Sequence, residues 1–188
     1  MHKPIKMPFN PDKLKGISKK QITYHFEKHY KGYVKGRNKI EKGLAKGDIN
    51  RGNKKGETHN ASGQVLHETY FSHLGGKGGE PKGNLMKKIK EDFGSFAKWK
   101  KRFLACTKAA RGWVLLCYDW KDHKLHNYAV DFHDQGAVWS ASPILAIDLW
   151  EHAYYFDYGP DKSKYIEAFF NNLNWKPIEE RFEKYNKK

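Results

Sequence analysis

Asp148 and His152 are four residues apart in the segment DLWEHAYY (148–155). One helical turn puts both on the same face, where a carboxylate and an imidazole can grip one divalent or trivalent cation. The alternative is a surface Asp–His pair or a helix-capping aspartate. Against that bland reading stand Trp150, Tyr154 and Tyr155. Polar groups among so many rings are expensive to bury unless something binds them. A second stripe is His25, His29 and Tyr33, at i, i+4 and i+8 of HFEKHYKGYV (25–34). Those two imidazoles could chelate a metal together, could divide the roles of ligand and hydrogen-bonding gate, or could be satisfied members of an aromatic core. His67, in LHETYF (66–71), is alone on a partly apolar face, where a histidine is more often structural.

The elements that must carry these residues can be read from caps and periodicity. Three prolines in residues 1–15 predict an extended arm. Ser18 followed by Gln21 is a capping-box pattern and opens a long helix over 18–46. Gly47 to Gly56 reads as a polar loop, and 60–74 as a second helix. Together they make a helical hairpin. GGKGGEPKG (75–83) predicts a flexible turn and a lobe boundary, with Pro81 suited to the first turn of a helix over 82–92. Ser95 caps a helix over 96–110. WVLLCYDW (113–120), LHNYAVDF (125–132) and SPILAID (142–148) read as three strands. Ser163 caps a helix to 173, and Pro177 starts a last helix over 178–186. The expected class is α+β: an N-terminal arm and α-helical hairpin over 1–75, then an α/β lobe with a small antiparallel sheet of about three strands over 76–188.

Bulk properties narrow the function classes. The chain has 188 residues and 15% aromatic content, enough for a well-packed core. Its mean hydropathy is -0.90, and no apolar run approaches the roughly 20 residues that span a bilayer. No membrane partner is expected. The start, MHKPIKMPFNPDKLKG, has no apolar stretch to act as a signal, so a cytoplasmic protein is expected. Cys106 and Cys117 read as two unpaired thiols of a reducing compartment. The net charge is +15, and residues 1–60 hold 16 of the 36 basic and 5 of the 21 acidic side chains. That bias suits nucleic acid, an anionic surface or a small anionic substrate.

The sequence resembles the iron/manganese superoxide dismutase family from about residue 18 to 185. DLWEHAYY is similar to that family's D-x-W-E-H-A-Y-Y signature. HFEKHYKGYV, GGEPKGNL (78–85), EDFGSF (91–96), RGWVLL (111–116) and YIEAFFNNLNW (165–175) match in order and spacing. The resemblance implies one iron or manganese ion per subunit, held by His25, His67, Asp148 and His152. It implies that Tyr33 and His29 gate the substrate funnel and that Trp113 and Trp150 wall the metal pocket. Glu151 would meet a ligand histidine of a partner subunit, and Tyr155 the gateway histidine across the same interface. A homodimer, or a tetramer of two dimers, follows. The implied activity is disproportionation of superoxide to dioxygen and hydrogen peroxide, with the metal alternating between +3 and +2. Lys28, Lys31 and Lys35 are candidates for steering the anion, or are merely solvated.

One departure bears on the metal. Many relatives have an outer-sphere glutamine on the metal-bound solvent, either four residues before the second ligand or in the loop before the third strand. The first position here is Gly63. Gln64 is one place off, which is about 100° around a helix. The second position is His133, with Gln135 nearby but out of register. His133 therefore looks like the partner of the bound solvent. Because hydrogen bonds to the ligand sphere tune redox potential, the metal choice leans to iron, with manganese or either ion close behind. The non-enzymatic alternative is a basic nucleic-acid-binding protein using residues 1–60, and a third option is a member of the family without activity. Nucleic acid is the less expected partner, because the basic helix also carries His25, His29 and Tyr33 in family register.

Overall fold

The computed structural model describes residues 1–136 and 138–186. Residues 187 and 188, at the end of the lobe expected over 76–188, lie outside that set, as does residue 137. Helix α1 (Lys19–Tyr24) opens on Ser18, whose hydroxyl accepts the Gln21 amide at 3.0 Å. The helix does not run on in one form to residue 46. His25–Tyr30 is wound as π-helix, and α-helix returns as α2 (Lys31–Leu44). Wide π turns that interrupt helices are frequent at functional sites, and this one carries His25 and His29.

The expected loop over 47–56 is shorter than the sequence suggested. Helix α3 (Arg51–Ser72) starts inside it, capped by Asn50, whose side chain accepts the Asn53 amide. Of the glycines that read as loop, Gly56 is a helix–helix contact point, and Gly36 of α2 is another at the same seam. A Cβ on Gly36 would run into Asn60 Oδ1, and one on Gly56 would meet Ile40 Cδ1 at 2.8 Å. The turn over 75–83 is pinned, not loose: the amides of Gly76 and Gly78 donate to Asn172 O and Leu173 O at 2.9 and 3.0 Å. Pro81 lies outside α4 (Gly83–Phe93), which begins after Lys82. Helix α5 (Phe96–Ala109) is capped by Ser95 as expected.

The strands are β1 (Trp113–Asp119), β2 (Lys124–Val130) and β3 (Ala141–Asp148), in the order β2-β1-β3, all antiparallel. Strand β1 is central and buried throughout, as its unbroken apolar run requires. Its first residue, Trp113, pairs with Val130 on one side and Asp148 on the other. One end of the sheet therefore gathers Trp113, Asp148 and the loop that leads to His133. A short 3-10 turn (Glu151–Ala153) and the one-turn helix α6 (Tyr155–Tyr158) follow, then α7 (Lys162–Asn171) and α8 (Trp175–Asn186). Asp161, not Ser163, caps α7: its carboxylate accepts the Lys164 amide. Helix α8 begins at Trp175, with Pro177 inside its first turn. Helices α3 and α8 lie on β3, and α5 lies on β1 and β2. The fold is α+β, a helical hairpin followed by helices around a three-stranded antiparallel sheet.

Candidate metal centre

Four side chains from four places in the chain converge. His25 comes from the π segment, His67 from α3, Asp148 from the end of β3, and His152 from the 3-10 turn. Their potential ligand atoms all lie within 4.8 Å of one another. Asp148 Oδ1 accepts the Trp150 amide at 3.0 Å, which aims the other oxygen inward. Oδ2 then faces Nε2 of His25 at 3.0 Å, of His152 at 3.1 Å and of His67 at 3.5 Å. His25, His67 and Asp148 are fully buried and His152 is half-buried.

The donor set fits a cation better than it fits itself. His67 Nδ1 lies 2.6 Å from Gly63 O, so that nitrogen carries the proton and donates it. Nε2 is left with a bare lone pair facing a carboxylate oxygen. It is buried and, among the described residues, has no hydrogen-bond partner, and neither has Nδ1 of His25. Such orphans are costly in a dry interior. A metal ion between the nitrogens and Oδ2 removes that cost. Burial pushes the His25 and His67 imidazoles below their ordinary values, His67 well below, which keeps them neutral and able to ligate. Burial alone would raise the Asp148 carboxyl, but the His152 and His25 rings that face it outweigh burial and hold the group well below the usual range. Three neutral imidazoles and one carboxylate suit a borderline first-row ion.

The other expected residues surround this cluster. The His29 ring stacks on His152 at 3.9 Å, and burial brings it down to about 4. The Tyr33 ring sits 5.0 Å from His67, and its hydroxyl is raised to about 12 by burial. Trp113 is fully buried, edge-on to His67 at 5.0 Å. Its Nε1–H donates to Nδ1 of His133 at 2.9 Å, so a neutral His133 carries its proton on Nε2. Burial lowers His133 to about 4. The Trp150 ring lies 6.3 Å from His133, with its Nε1 buried and without a partner among the described residues. Glu151 and Tyr155 are exposed, beside the cluster and outside it. Of the three lysines considered for steering, Lys31 is paired with Glu27 at 2.6 Å, whereas Lys28 and Lys35 are exposed.

Gly63 is explained by its neighbour. A Cβ there would meet the Tyr33 ring at 2.7 Å, so Tyr33 occupies the space a longer side chain would need. Gln64 is turned to Glu68 and Arg37, and Gln135 is exposed. Two further residues had not been singled out for the site. His59 packs its ring on His133 at 4.7 Å and lies 3.5 Å from Asp134. Gln21 bonds to the backbone of His152. Both share a helix face with a ligand: His59 is eight residues before His67, and Gln21 four before His25. That spacing was the available signal.

Both halves of the sequence have counterparts among known proteins. Residues 1–75 match the family model for the alpha-hairpin domain of iron/manganese superoxide dismutases, and residues 81–181 match that for their C-terminal domain. A manganese superoxide dismutase of Halobacterium salinarum is 44% identical over 185 residues, covering 94% of this chain and 92% of its own. One of Haloferax volcanii is 43% identical over 185 residues, covering 94% and 93%. An iron superoxide dismutase of Aquifex pyrophilus is 43% identical over 188 residues, covering 93% and 88%. With both domain models matched and relatives this similar along nearly its whole length, the chain belongs to the iron/manganese superoxide dismutase family.

Proposed function

We propose that this protein is a superoxide dismutase whose single iron or manganese ion is held by His25, His67, Asp148 and His152. The observation that carries the reading is the dry cluster itself, in which one carboxylate oxygen faces three imidazole nitrogens with no proton to share between it and His67. Bound there, the ion would supply one-electron redox chemistry between its +3 and +2 states. Two superoxides and two protons become one dioxygen and one hydrogen peroxide.

The chain's own residues do the rest. Residues 1–75 supply two imidazoles and 76–188 the other two ligands, so the ion ties the halves together. Tyr33 and His29 narrow the approach and admit a small anion. The Tyr33 hydroxyl keeps its proton at neutral pH, and His133 holds one at Nε2, fixed in that tautomer by Trp113. Both are placed to hand protons to the pocket. Trp113 and Trp150 exclude water from the walls. Lys28 and Lys35 add positive potential, which raises the encounter rate with an anion.

The lean toward iron rests on His133 standing where the family resemblance implies a glutamine. The relatives described above bear manganese in two names and iron in one. Either ion therefore suits the reading, and metal content after expression in each metal decides. A homodimer is supported by exposed Glu151 and Tyr155, and by Tyr24 and Phe156 at 50% and 57% exposure beside them. A cytoplasmic location is supported by two free thiols, Cys106 and Cys117, and among the described residues no helix is long and apolar enough to cross a membrane. The nucleic-acid reading of residues 1–60 gains no support from the relatives described above.

The test is metal analysis with a superoxide assay on wild type and His67→Ala. The wild type should hold one ion per subunit and be active, and the variant should lose both together. Stoichiometric metal in the variant would contradict the ligand assignment.

A further inference from the structure

Gln21 breaks its own sequence pattern. In a capping box its side chain would turn back to the Ser18 amide. Here that amide donates instead to Asp157 Oδ2 at 2.7 Å. The Gln21 side chain, 3% exposed, crosses to the segment that carries His152. Its Nε2–H donates to His152 O at 2.6 Å, and its Oε1 accepts the Phe156 amide at 3.1 Å.

Those two partners are four residues apart. In a continuous helix the Phe156 N–H would donate to the His152 carbonyl itself. The Gln21 amide stands between them as a wedge, donating to the one and accepting from the other. Insertion of a side chain into the i→i−4 ladder is a recognised cause of a break in a helix. The break is where the 3-10 turn Glu151–Ala153 stops and α6 begins, with Tyr154 between them at φ -145°. The other end of the connection is equally direct. The Gln21 carbonyl accepts the backbone N–H of His25. Gln21 therefore bonds to the backbone of two ligand-bearing residues that come from opposite halves of the chain.

We propose that Gln21 is a positioning residue for the metal site. Its side-chain amide sets the spacing between His25 and His152, and holds the His152 turn open so that the imidazole faces Asp148. The inference rests on the metal site proposed above. Supporting contacts at the same seam are the Lys20 ammonium over the Phe156 ring at 4.4 Å and the Tyr158 hydroxyl on Gly16 O. Neither reaches a ligand backbone.

The test compares Gln21→Leu, which keeps the volume and loses both bonds, with Gln21→Glu, which keeps an acceptor for Phe156 but no donor for His152 at neutral pH. Ile22→Val, one residue along and equally buried, controls for ordinary loss of packing. Each protein is loaded with metal. The rate at which a chelator strips the ion, the visible spectrum of the oxidised ion and the urea midpoint are then read. Outer hydrogen-bond partners of metal ligands are worth about 10- to 100-fold in metal affinity. Gln21→Leu should therefore release metal about 10-fold or more faster, with a shifted spectrum, and Gln21→Glu should fall between it and wild type. Ile22→Val should lower the urea midpoint without changing the spectrum. If Gln21→Leu does not fold, Gln21→Glu alone must show faster release. Wild-type release and spectrum in the folded Gln21 variants, or changes no larger than those of Ile22→Val, overturn the proposal. A wild type that takes up no metal would instead sink the reading of the site.

Discussion

At the scale of single residues, the site depends on what is absent as much as on what is present. Gly63 stands at one of the two positions where the family resemblance implies a glutamine, and the Tyr33 ring fills the space. Restoring a glutamine by Gly63→Gln should therefore not restore a hydrogen bond. It should displace Tyr33 at a cost of about 1–3 kcal/mol, the usual range for overpacking. The check is a double-mutant cycle with Tyr33→Ala, followed by urea unfolding. The two changes share one volume, so the double variant should be less destabilised than the sum of the singles. Additive costs would mean that the ring and the new side chain never compete. At this scale the spacing left His25, His67, Asp148 and His152 each open to a structural reading, and only the resemblance of segments such as DLWEHAYY to the family's motifs singled the four out together. The sequence was silent on why position 63 is glycine, since a ring approaching from another helix leaves no local signature.

At the scale of elements, glycine meant two different things in the hairpin. Gly36 faces Asn60 across the α2–α3 contact, whereas Gly32 has nothing within 4 Å of where its Cβ would be. Gly32→Ala should stabilise the fold by about 0.5–1 kcal/mol, because an exposed helix gains alanine's propensity without a clash. Gly36→Leu should cost about 1–3 kcal/mol by prising the helices apart. Chemical denaturation of both variants checks the pair, and equal shifts of one sign would contradict the assigned packing. This ambiguity is why the start of α3 was misplaced. Gly52 and Gly56, in a run of lysines and asparagines, have the composition of a loop. Only the neighbouring helix shows that Gly56 is a contact. The strands were easier to read, because the apolar run of β1 is too long for a loop and too short for another buried helix. The π segment was invisible: His25, His29 and Tyr33 share a face whether the turns are wide or regular. Gln21 was read correctly as a first-turn residue and wrongly as a local cap, since a side chain that leaves its own helix depends on residues 131 and 135 positions away.

At the scale of the whole molecule, buried neutral histidines link stability to acid. His73 is the cleanest case, because it is no ligand in the proposed site. It is fully buried under β3, with Nε2 donating to Ala146 O at 2.9 Å. Burial, and next the charge of Arg181, bring it down from 6.5 to about 3. The direction of the effect follows from proton counts. Between those two values the unfolded chain binds a proton at His73 and the folded chain does not, so stability rises with pH across that window. The contribution is complete above 6.5 and is lost as pH falls toward 3. Within the window the slope approaches about 1.4 kcal/mol per pH unit for one such group. His73→Gln should be less stable than wild type at pH 7.5, yet lose less on acidification to pH 4.5. His25 and His67 are lowered for the same reason, and in the loaded protein their protonation also expels the ion. The difference in slope between wild type and His73→Gln should therefore be the same with metal loaded or stripped, although both proteins lose stability more steeply when loaded. Unfolding midpoints across pH in the two states measure it, and a slope difference that vanishes on stripping would place His73 in the metal equilibrium rather than in the fold.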